Sequence, residues 1–183
     1  MRKIITMLVV MLVGLTLTTD AQFKKASLQA AGLTCAMCTK AINKALEQVP
    51  FVQDVKVDIK TSSFLVNFKE GQAVDFDAMK KAVEDAGFSV AKLKVTGDFN
   101  KVDIQNDTHV QIDGKTFHFL NISKQTLEGE KVITLVDKDF VSAKEYKKYS
   151  TASSKACVKT GKAQSCCTKE GIAADARIYH VTI

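Results

Sequence analysis

The sequence predicts an α+β protein with two parts, a β-α-β-β-α-β unit at residues 22–95 and a small β-rich domain at residues 96–183. In the first part, apolar residues recur at helical spacing in two segments, and the shorter segments around them alternate apolar and polar side chains. The second part contains the strongest hairpin signal of the chain. The order of elements in the first part is that of the ferredoxin-like fold.

Residues 1–21 are predicted to be a secretory signal peptide rather than part of the fold. Met1 to Lys3 is basic, and the 14 residues from Ile4 to Leu17 carry no charge. Because this stretch is short for a membrane span, an uncleaved anchor is the less favoured alternative. We therefore expect a periplasmic or secreted protein that begins near Gln22 and keeps no stable membrane span after cleavage.

The first helix of the predicted unit follows a short strand, which runs from Ser27 to Leu33. We expect this helix at Met37 to Val49, because its apolar residues share one face. Those residues are Cys38, Ile42, Ala45, Leu46 and Val49. Pro50, the only proline in the chain, is the stop signal of this helix.

Two strands, a second helix and a last strand complete the unit. Alternating apolar residues predict strands at 55–59 and 64–68. The second helix is expected to begin at Asp75 and to end at Gly87, because glycine is favoured just after a helix. Its expected inward residues are Phe76, Met79, Val83 and Ala86. Apolar residues predict the last strand at 88–93.

A hairpin is the clearest element of the second part. Residues 109–112 and 115–119 flank the dipeptide Asp113-Gly114, which is typical of a two-residue turn between antiparallel strands. The sequence therefore predicts two paired strands here.

The rest of the second part is also strand-rich. Strands are expected at 132–136 and 176–183, and a capping box at Ser142 to Glu145 predicts a short helix between them. Residues 150–171 are polar and rich in small residues, so we expect a long loop there. These elements predict a small barrel of the five-stranded OB type.

Charge and motifs favour a binding protein that is not an enzyme. The formal charge of +6 comes from lysines spread along the chain and not from a basic stripe, so nucleic acid is not an expected partner. The sequence contains no nucleophile elbow, no H-E-x-x-H motif and no glycine-rich phosphate loop.

The motif with distinctive chemistry is Cys35-Ala36-Met37-Cys38, which lies between the first strand and the first helix. The free N–H groups at a helix start stabilise a thiolate, and a two-residue spacer lets both sulfurs approach one ion or bond to each other. Thiolates select soft ions over hard ones, and two sulfurs suit a two-coordinate ion better than structural zinc, which takes four ligands. A structural disulfide and a thioredoxin-like redox pair are the alternatives that this spacing leaves open.

The segment G-L-T-C-A-M-C at residues 32–38 resembles the G-M-T-C-x-x-C signature of heavy-metal-associated domains. These domains occur in copper chaperones, in copper-transporting ATPases and in the periplasmic mercury scavenger. Gly87-Phe88 matches the glycine and the aromatic residue with which that family ends its second helix. The resemblance covers about residues 26–94, with Leu33 in place of the common methionine and Phe51 in place of the usual glycine.

This resemblance implies that Cys35 and Cys38 are metal ligands, with Phe88 packed beside their loop and Met37 on the solvent side. The implied ion is Cu(I), although the same thiols also accept Hg(II) or Zn(II). The implied function is metal transfer or sequestration, with a metal-transport protein that carries its own thiol pair as the partner.

Two other functions compete with copper transfer. A mercury-binding scavenger uses the same motif. A thiol–disulfide oxidoreductase is less favoured, because the chain has no tryptophan and Pro50 lies where no active-site loop belongs.

Three more cysteines lie in the second part, namely Cys157, Cys166 and Cys167. A disulfide from Cys157 to one of the adjacent pair would contribute about 2–3 kcal/mol of stability. A second thiolate site for a soft ion is the equally favoured interpretation. Structural zinc ranks third, because adjacent cysteines are not a standard zinc spacing.

Each of the three histidines, His109, His118 and His180, lies on a predicted strand. His118 stands between Phe117 and Phe119, so it is expected to point away from those aromatic rings. If the second part binds a metal ion, His118 and His180 are the histidines expected to contribute.

Overall fold

The structure is a computed structural model, and it describes residues 21–33 and 35–183. The predicted signal peptide lies outside the described residues except for Ala21. Across residues 21–33 and 35–183, none of the helices combines the length and the hydropathy that crossing a membrane requires.

One mixed sheet contains all the described strands. The strands are β1 Ala21–Ala31, β2 Val52–Asp58, β3 Ser63–Phe68, β4 Ser89–Ile104, β5 Thr108–Ile112, β6 Lys115–Phe119, β7 Gln125–Leu135 and β8 Ile178–Thr182. The helices are α1 Ala36–Glu47, α2 Phe76–Asp85, α3 Ala143–Ser150, α4 Cys157–Thr160 and α5 Ser165–Thr168. The strand order is β2-β3-β1-β4-β7-β8-β6-β5, and among the strands of residues 21–33 and 35–183 only β6 and β8 pair in parallel.

The predicted ferredoxin-like unit is confirmed as β1-α1-β2-β3-α2-β4. Residues of α1 and α2 pack with the sheet in one large apolar cluster, which we call the main core. The fully buried side chains that these helices contribute are Ile42, Leu46, Phe76, Met79 and Val83. Asp75 caps α2, because its carboxylate accepts hydrogen bonds from the N–H groups of Asp77 and Ala78 at 2.9 and 3.1 Å.

The expectation of an OB-type barrel in the second part is wrong. Strands β5 to β8 extend the sheet of the first part, and the sheet stays open with β2 and β5 at its edges. The reason lies in β4, which has 16 residues and pairs with β1 on one side and with β7 on the other. This strand runs through the predicted boundary at residue 95, and the division into 22–95 and 96–183 stays a prediction about folding units.

The predicted hairpin is confirmed as β5 and β6. Asp113 and Gly114 both have positive φ angles, 50° and 68°, as a tight turn of this type requires. The resulting register places His109 directly opposite His118. The hairpin thus aligns two imidazoles on one face of the sheet.

The expected loop at residues 150–171 contains two one-turn helices, α4 and α5. We call residues 143–176 the C-terminal segment, which begins with α3. The predicted capping box of α3 is confirmed, because the Glu145 N–H donates a hydrogen bond to Ser142 Oγ at 3.3 Å. Part of this segment packs in a second apolar cluster with Leu120, Val136 and Ile178. Polarity alone predicted a loop, but the buried side chains of this segment fold it onto the sheet.

Candidate metal centre

Cys35 is the N-cap residue of α1, and Cys38 lies in the first turn of that helix. The backbone of Cys35 is extended, and its Sγ accepts a hydrogen bond from the Cys38 N–H at 3.2 Å. The first turn of α1 contains no acidic residue that would oppose a thiolate. Once the sulfurs are reduced, the helix start therefore favours the ionised form of Cys35.

The sulfurs of the Cys35/Cys38 pair are bonded to each other in the structure, and the two Cα atoms are 5.4 Å apart. Sulfurs that approach this closely can also share one soft ion after reduction. The backbone thus brings both sulfurs to one point, and their redox state decides between a disulfide and a two-thiolate site.

The Cys35/Cys38 pair lies at the protein surface. Cys35 is exposed, Cys38 is half-buried, and the Met37 side chain between them is 74% exposed, as predicted. Leu33 and Phe88 are half-buried and pack against the main core. An incoming ligand can therefore reach the sulfurs directly from solvent.

An open apolar groove of about 690 Å³ lies beside Cys35, between α1 and the strands β2 and β3. Leu33, Val57 and Ile59 are among its lining residues. Ile59 is 86% exposed and Val57 is 39% exposed. The groove therefore exposes apolar surface directly beside the Cys35/Cys38 pair.

A second group of potential ligands lies in the second part, and we call it the Cys/His cluster. Its members are His109, His118, Cys157, Cys166 and Cys167. They form two overlapping sets, a His-His-Cys set and a Cys-Cys-Cys set, which share Cys157, and the ligand atoms within each set lie within 4.8 Å of one another. All three cysteines are free thiols.

Cys157 and Cys167 make the shortest contacts to the imidazoles. Cys157 Sγ lies 3.5 Å from His109 Nε2 and 3.7 Å from His118 Nδ1. Cys167 Sγ lies 3.8 Å from His109 Nε2 and 3.5 Å from Cys166 Sγ. The side chain of Cys166 is half-buried, whereas Cys157 and Cys167 are fully buried.

Each imidazole of the Cys/His cluster has a carboxylate behind it. His118 Nε2 is 2.9 Å from Asp107 Oδ1, and His109 Nδ1 is 2.6 Å from Glu170 Oε2. Lys155 Nζ donates to the other Glu170 oxygen at 2.8 Å and to the Asp107 backbone carbonyl at 3.0 Å. These contacts fix the orientation of both rings.

His180 lies beside this cluster but in neither ligand set. Its Nδ1 is 2.7 Å from Asp137 Oδ1, and its ring centroid is 5.1 Å from that of His118. Its Nε2 is buried and has no hydrogen-bond partner within the part of the chain that the structure describes. Of the two histidines expected to join a site, the structure therefore brings His118, but not His180, into contact with the thiols.

The protonation states follow from burial. Burial, together with the neighbouring His180 and His109, lowers the pKa of His118 to about 4, and burial also lowers the pKa of His109. Burial raises the pKa of Cys157 and of Cys167. At neutral pH the free cluster thus holds neutral imidazoles and protonated buried thiols, so a metal ion would displace protons on binding.

The pKa of the Cys166 thiol is lowered, because hydrogen bonds outweigh the effect of burial. Burial by itself would raise the pKa of this thiol, whereas a hydrogen bond from Cys167 and several backbone N–H groups lower it. The most accessible thiol of the cluster is therefore also the one that ionises most readily.

Sequence reasoning missed His109 as a member of the cluster. The signal was present, because a two-residue turn at Asp113-Gly114 fixes the register in which residue 109 faces residue 118. The supporting residue Glu170 had no comparable signal, since its contact with His109 spans 61 positions.

Comparison with known proteins places the first part among metal-handling domains. Residues 27–89 match the heavy-metal-associated domain family. The copper chaperone CopZ of Staphylococcus haemolyticus is 32% identical over 59 residues, which are 32% of this chain and 85% of CopZ. A solved structure described as the CopZ metallochaperone is 27% identical, with a TM-score of 0.33 over 37% of this chain and 98% of that one.

Larger proteins are also similar to part of this chain. The copper-transporting ATPase 1 of Rhizobium meliloti is 44% identical over 66 residues, which are 36% of this chain. The chain spans 8% of the length of that ATPase. The Cys/His cluster begins at residue 109, beyond the end of the family match at residue 89.

Proposed function

The chain belongs to the heavy-metal-associated domain family through residues 27–89, and from this premise we propose that it binds Cu(I) through Cys35 and Cys38 for transfer or sequestration. The observation that carries the proposal is the position of both sulfurs at the start of α1. Two thiolates at a polar helix start suit a soft, low-coordinate ion, and Hg(II) and Zn(II) are the other ions this site accepts.

Transfer requires that an incoming thiolate reaches the ion before an outgoing one leaves. The exposure of Cys35 supports this step, because the exposed side chain is accessible to a partner sulfur. The apolar groove with Val57 and Ile59 offers the adjoining surface on which a partner can dock. We infer that the partner is a metal-transport protein with its own thiol pair, and that the chain acts as a binding protein and not as an enzyme.

We further propose that the protein works outside the cytoplasm, in the periplasm or as a secreted protein. The predicted signal peptide at residues 1–21 supports export. An oxidising compartment favours the disulfide between Cys35 and Cys38, so Cu(I) binding requires the reduced pair.

Replacement of both ligands tests the copper proposal. In an anaerobic titration with Cu(I) and a competing chelator, Cys35→Ser with Cys38→Ser is expected to lower the tightly bound copper by one ion per chain. Met37→Leu is the matched control, since it removes an exposed sulfur that lies between the ligands. Unchanged copper uptake in the double variant would contradict the proposal, and competition with Hg(II) separates copper binding from mercury scavenging.

The disulfide itself supports a second candidate function, thiol–disulfide exchange. An oxidoreductase of this kind reduces a model disulfide without added metal, and its activity depends on both Cys35 and Cys38. No turnover in that assay would exclude this function and leave the copper proposal standing.

A further inference from the structure

We propose that the second part of the chain holds its own site for one thiophilic d10 cation, Zn(II) or Cu(I), which binds independently of the Cys35/Cys38 pair. Its ligands are His109, His118, Cys157 and Cys167. The site lies outside the segment that matches the heavy-metal-associated family, and it does not depend on the function proposed above.

The distances between ligand atoms match a metal coordination sphere. A sulfur ligand at about 2.3 Å and a nitrogen ligand at about 2.0 Å from one ion are roughly 3.5–3.8 Å from each other in tetrahedral or trigonal arrangements. The three contacts between sulfur and nitrogen in the cluster measure 3.5, 3.7 and 3.8 Å. An ion placed among His109, His118 and Cys157 therefore requires little movement of these three side chains, whereas Cys167, which belongs to the other ligand set, must move closer to His118 to complete the site.

The hydrogen bonds behind the rings leave the correct nitrogens free. The Asp107 carboxylate accepts a hydrogen bond from the N–H of His118 Nε2, and the Glu170 carboxylate accepts one from the N–H of His109 Nδ1. In a neutral imidazole the other nitrogen then carries a lone pair, and in both rings that nitrogen is the one facing Cys157 Sγ. Carboxylates in this position orient the histidines of many metal sites and raise their basicity.

Burial and charge also favour an ion. The side chains of His118, Cys157 and Cys167 are fully shielded from solvent, and the side chain of His109 is 3% exposed. Two thiolates, two neutral imidazoles and one divalent ion sum to zero charge, which lowers the cost of burial. Because Cys166 is half-buried beside the fully buried Cys157 and Cys167, it offers an entry point for the ion.

A structural disulfide explains less of this arrangement. It would join Cys157 to Cys166 or Cys167, and it needs no imidazole. Two buried histidines that point a lone pair at the same sulfur, each with a carboxylate behind the ring, have no role in that interpretation. A metal ion accounts for all of them.

The test uses the full chain with Cys35→Ser and Cys38→Ser, so that the first pair cannot contribute. Reduced protein is titrated with Zn(II), and separately with Cu(I) under anaerobic conditions, against a competing chelator. We expect one tightly bound ion per chain. Failure to bind either ion would overturn this proposal without affecting the proposed function of the first pair.

Ligand variants in this background define the site. His118→Gln keeps a donor for Asp107 but removes the ligand nitrogen, and Cys157→Ser removes the shared sulfur. Each is expected to weaken binding by more than about 100-fold, because loss of an outer carboxylate alone costs roughly 10- to 100-fold. The matched control is His180→Asn, which keeps a donor for Asp137 and is expected to leave affinity within about threefold.

Two further measurements distinguish loss of the metal site from a folding defect in the variants. Asp107→Asn tolerates the left-handed backbone at residue 107 (φ 60°) and is expected to weaken binding by about 10- to 100-fold. Co(II) bound in place of the ion is expected to show thiolate-to-metal charge-transfer absorption, which Cys157→Ser removes. A loss of affinity with His180→Asn equal to that with His118→Gln would overturn the proposal, and so would a disulfide at Cys157 that survives treatment with reductant in the Cys35→Ser, Cys38→Ser background.

Discussion

Phe117→Ala is expected to lower the free energy of unfolding of the whole chain by about 3–5 kcal/mol. Phe117 lies on β6 and is fully buried. Its ring centroid lies 5.8 Å from that of Phe23 on β1, 6.3 Å from that of Phe76 on α2 and 5.8 Å from that of Tyr179 on β8. The substitution removes a large side chain from the point where both predicted parts of the chain meet, and a packed interior refills such a space only in part.

The expected loss of stability in Phe117→Ala extends to the first part of the chain. Because Phe117 packs on Phe23 and Phe76, hydrogen exchange should become faster in α1 and β3 as well as in the strands around residue 117. Urea denaturation followed by circular dichroism gives the free energy, and hydrogen exchange with mass spectrometry gives its distribution.

Phe117→Leu is the matched control, since it keeps an apolar side chain and is expected to cost less than about 1.5 kcal/mol. Two separate unfolding transitions in the alanine variant, with exchange in α1 unchanged, would contradict a shared core. That result would instead support residues 22–95 and 96–183 as independent folding units.

Local patterns in the sequence predicted the elements that depend on near neighbours. The apolar face from Cys38 to Val49 identified α1, and the glycine at position 87 follows the end of α2 closely. The Asp113-Gly114 turn identified both strands of the hairpin. In each case the signal lies within the element or at its end, so a single sequence contains it.

The sequence did not reveal how strands far apart in the chain pair in the second part. An alternating pattern shows that a segment forms a strand, but it does not show which strand lies beside it. Here β8 inserts between β6 and β7, and it pairs in parallel with β6 from about 60 residues further along the chain. Because of these long-range pairings, the second part extends the first sheet and does not form the predicted barrel.

The two candidate metal sites also differ in whether their ligands are close together in the sequence. Cys35 and Cys38 are only three positions apart, so the sequence alone predicted both their motif and the helix that follows. The Cys/His cluster draws its ligands from β5, β6, α4 and α5, and only the fold brings them together. The cysteines were singled out for their chemistry, whereas His109 required the register of the hairpin.

Arg177→Met is expected to lower the free energy of unfolding by about 2–3 kcal/mol. Arg177 binds the Asp77 carboxylate in bidentate fashion, with Nε to Oδ2 at 2.8 Å and Nη2 to Oδ1 at 3.2 Å. Nη1 also donates to the Gly161 carbonyl at 3.2 Å, and the guanidinium lies 4.3 Å from the centre of the Tyr179 ring. One side chain thus connects α2, the C-terminal segment and β8.

The size of this effect follows from partial burial. Breaking a fully buried ion pair costs about 3–5 kcal/mol, but the side chains of Arg177 and Asp77 are 30% and 39% exposed, which reduces the loss. Lysine at position 177 should recover little, because an ammonium cannot reproduce the bidentate contact. Lys81→Met is the matched control, since its pair with Asp85 is 71% and 62% exposed and is expected to contribute less than about 1 kcal/mol.

The Arg177 contact also predicts how stability changes in acid. Burial would raise the pKa of Asp77, but the hydrogen bonds and the charge of Arg177 outweigh it and lower that pKa below its unfolded value of about 3.9. A carboxyl group with a lowered pKa stabilises the folded state above the unfolded pKa, and this contribution disappears as the pH falls through the folded pKa. Urea denaturation at neutral pH and at about pH 3 should therefore show a larger acid-induced loss of stability in the unmodified protein than in Arg177→Met. Equal losses in the two proteins would mean that Arg177 does not set the ionisation of Asp77, and that the guanidinium stabilises the chain through its contacts with Gly161 and Tyr179 instead.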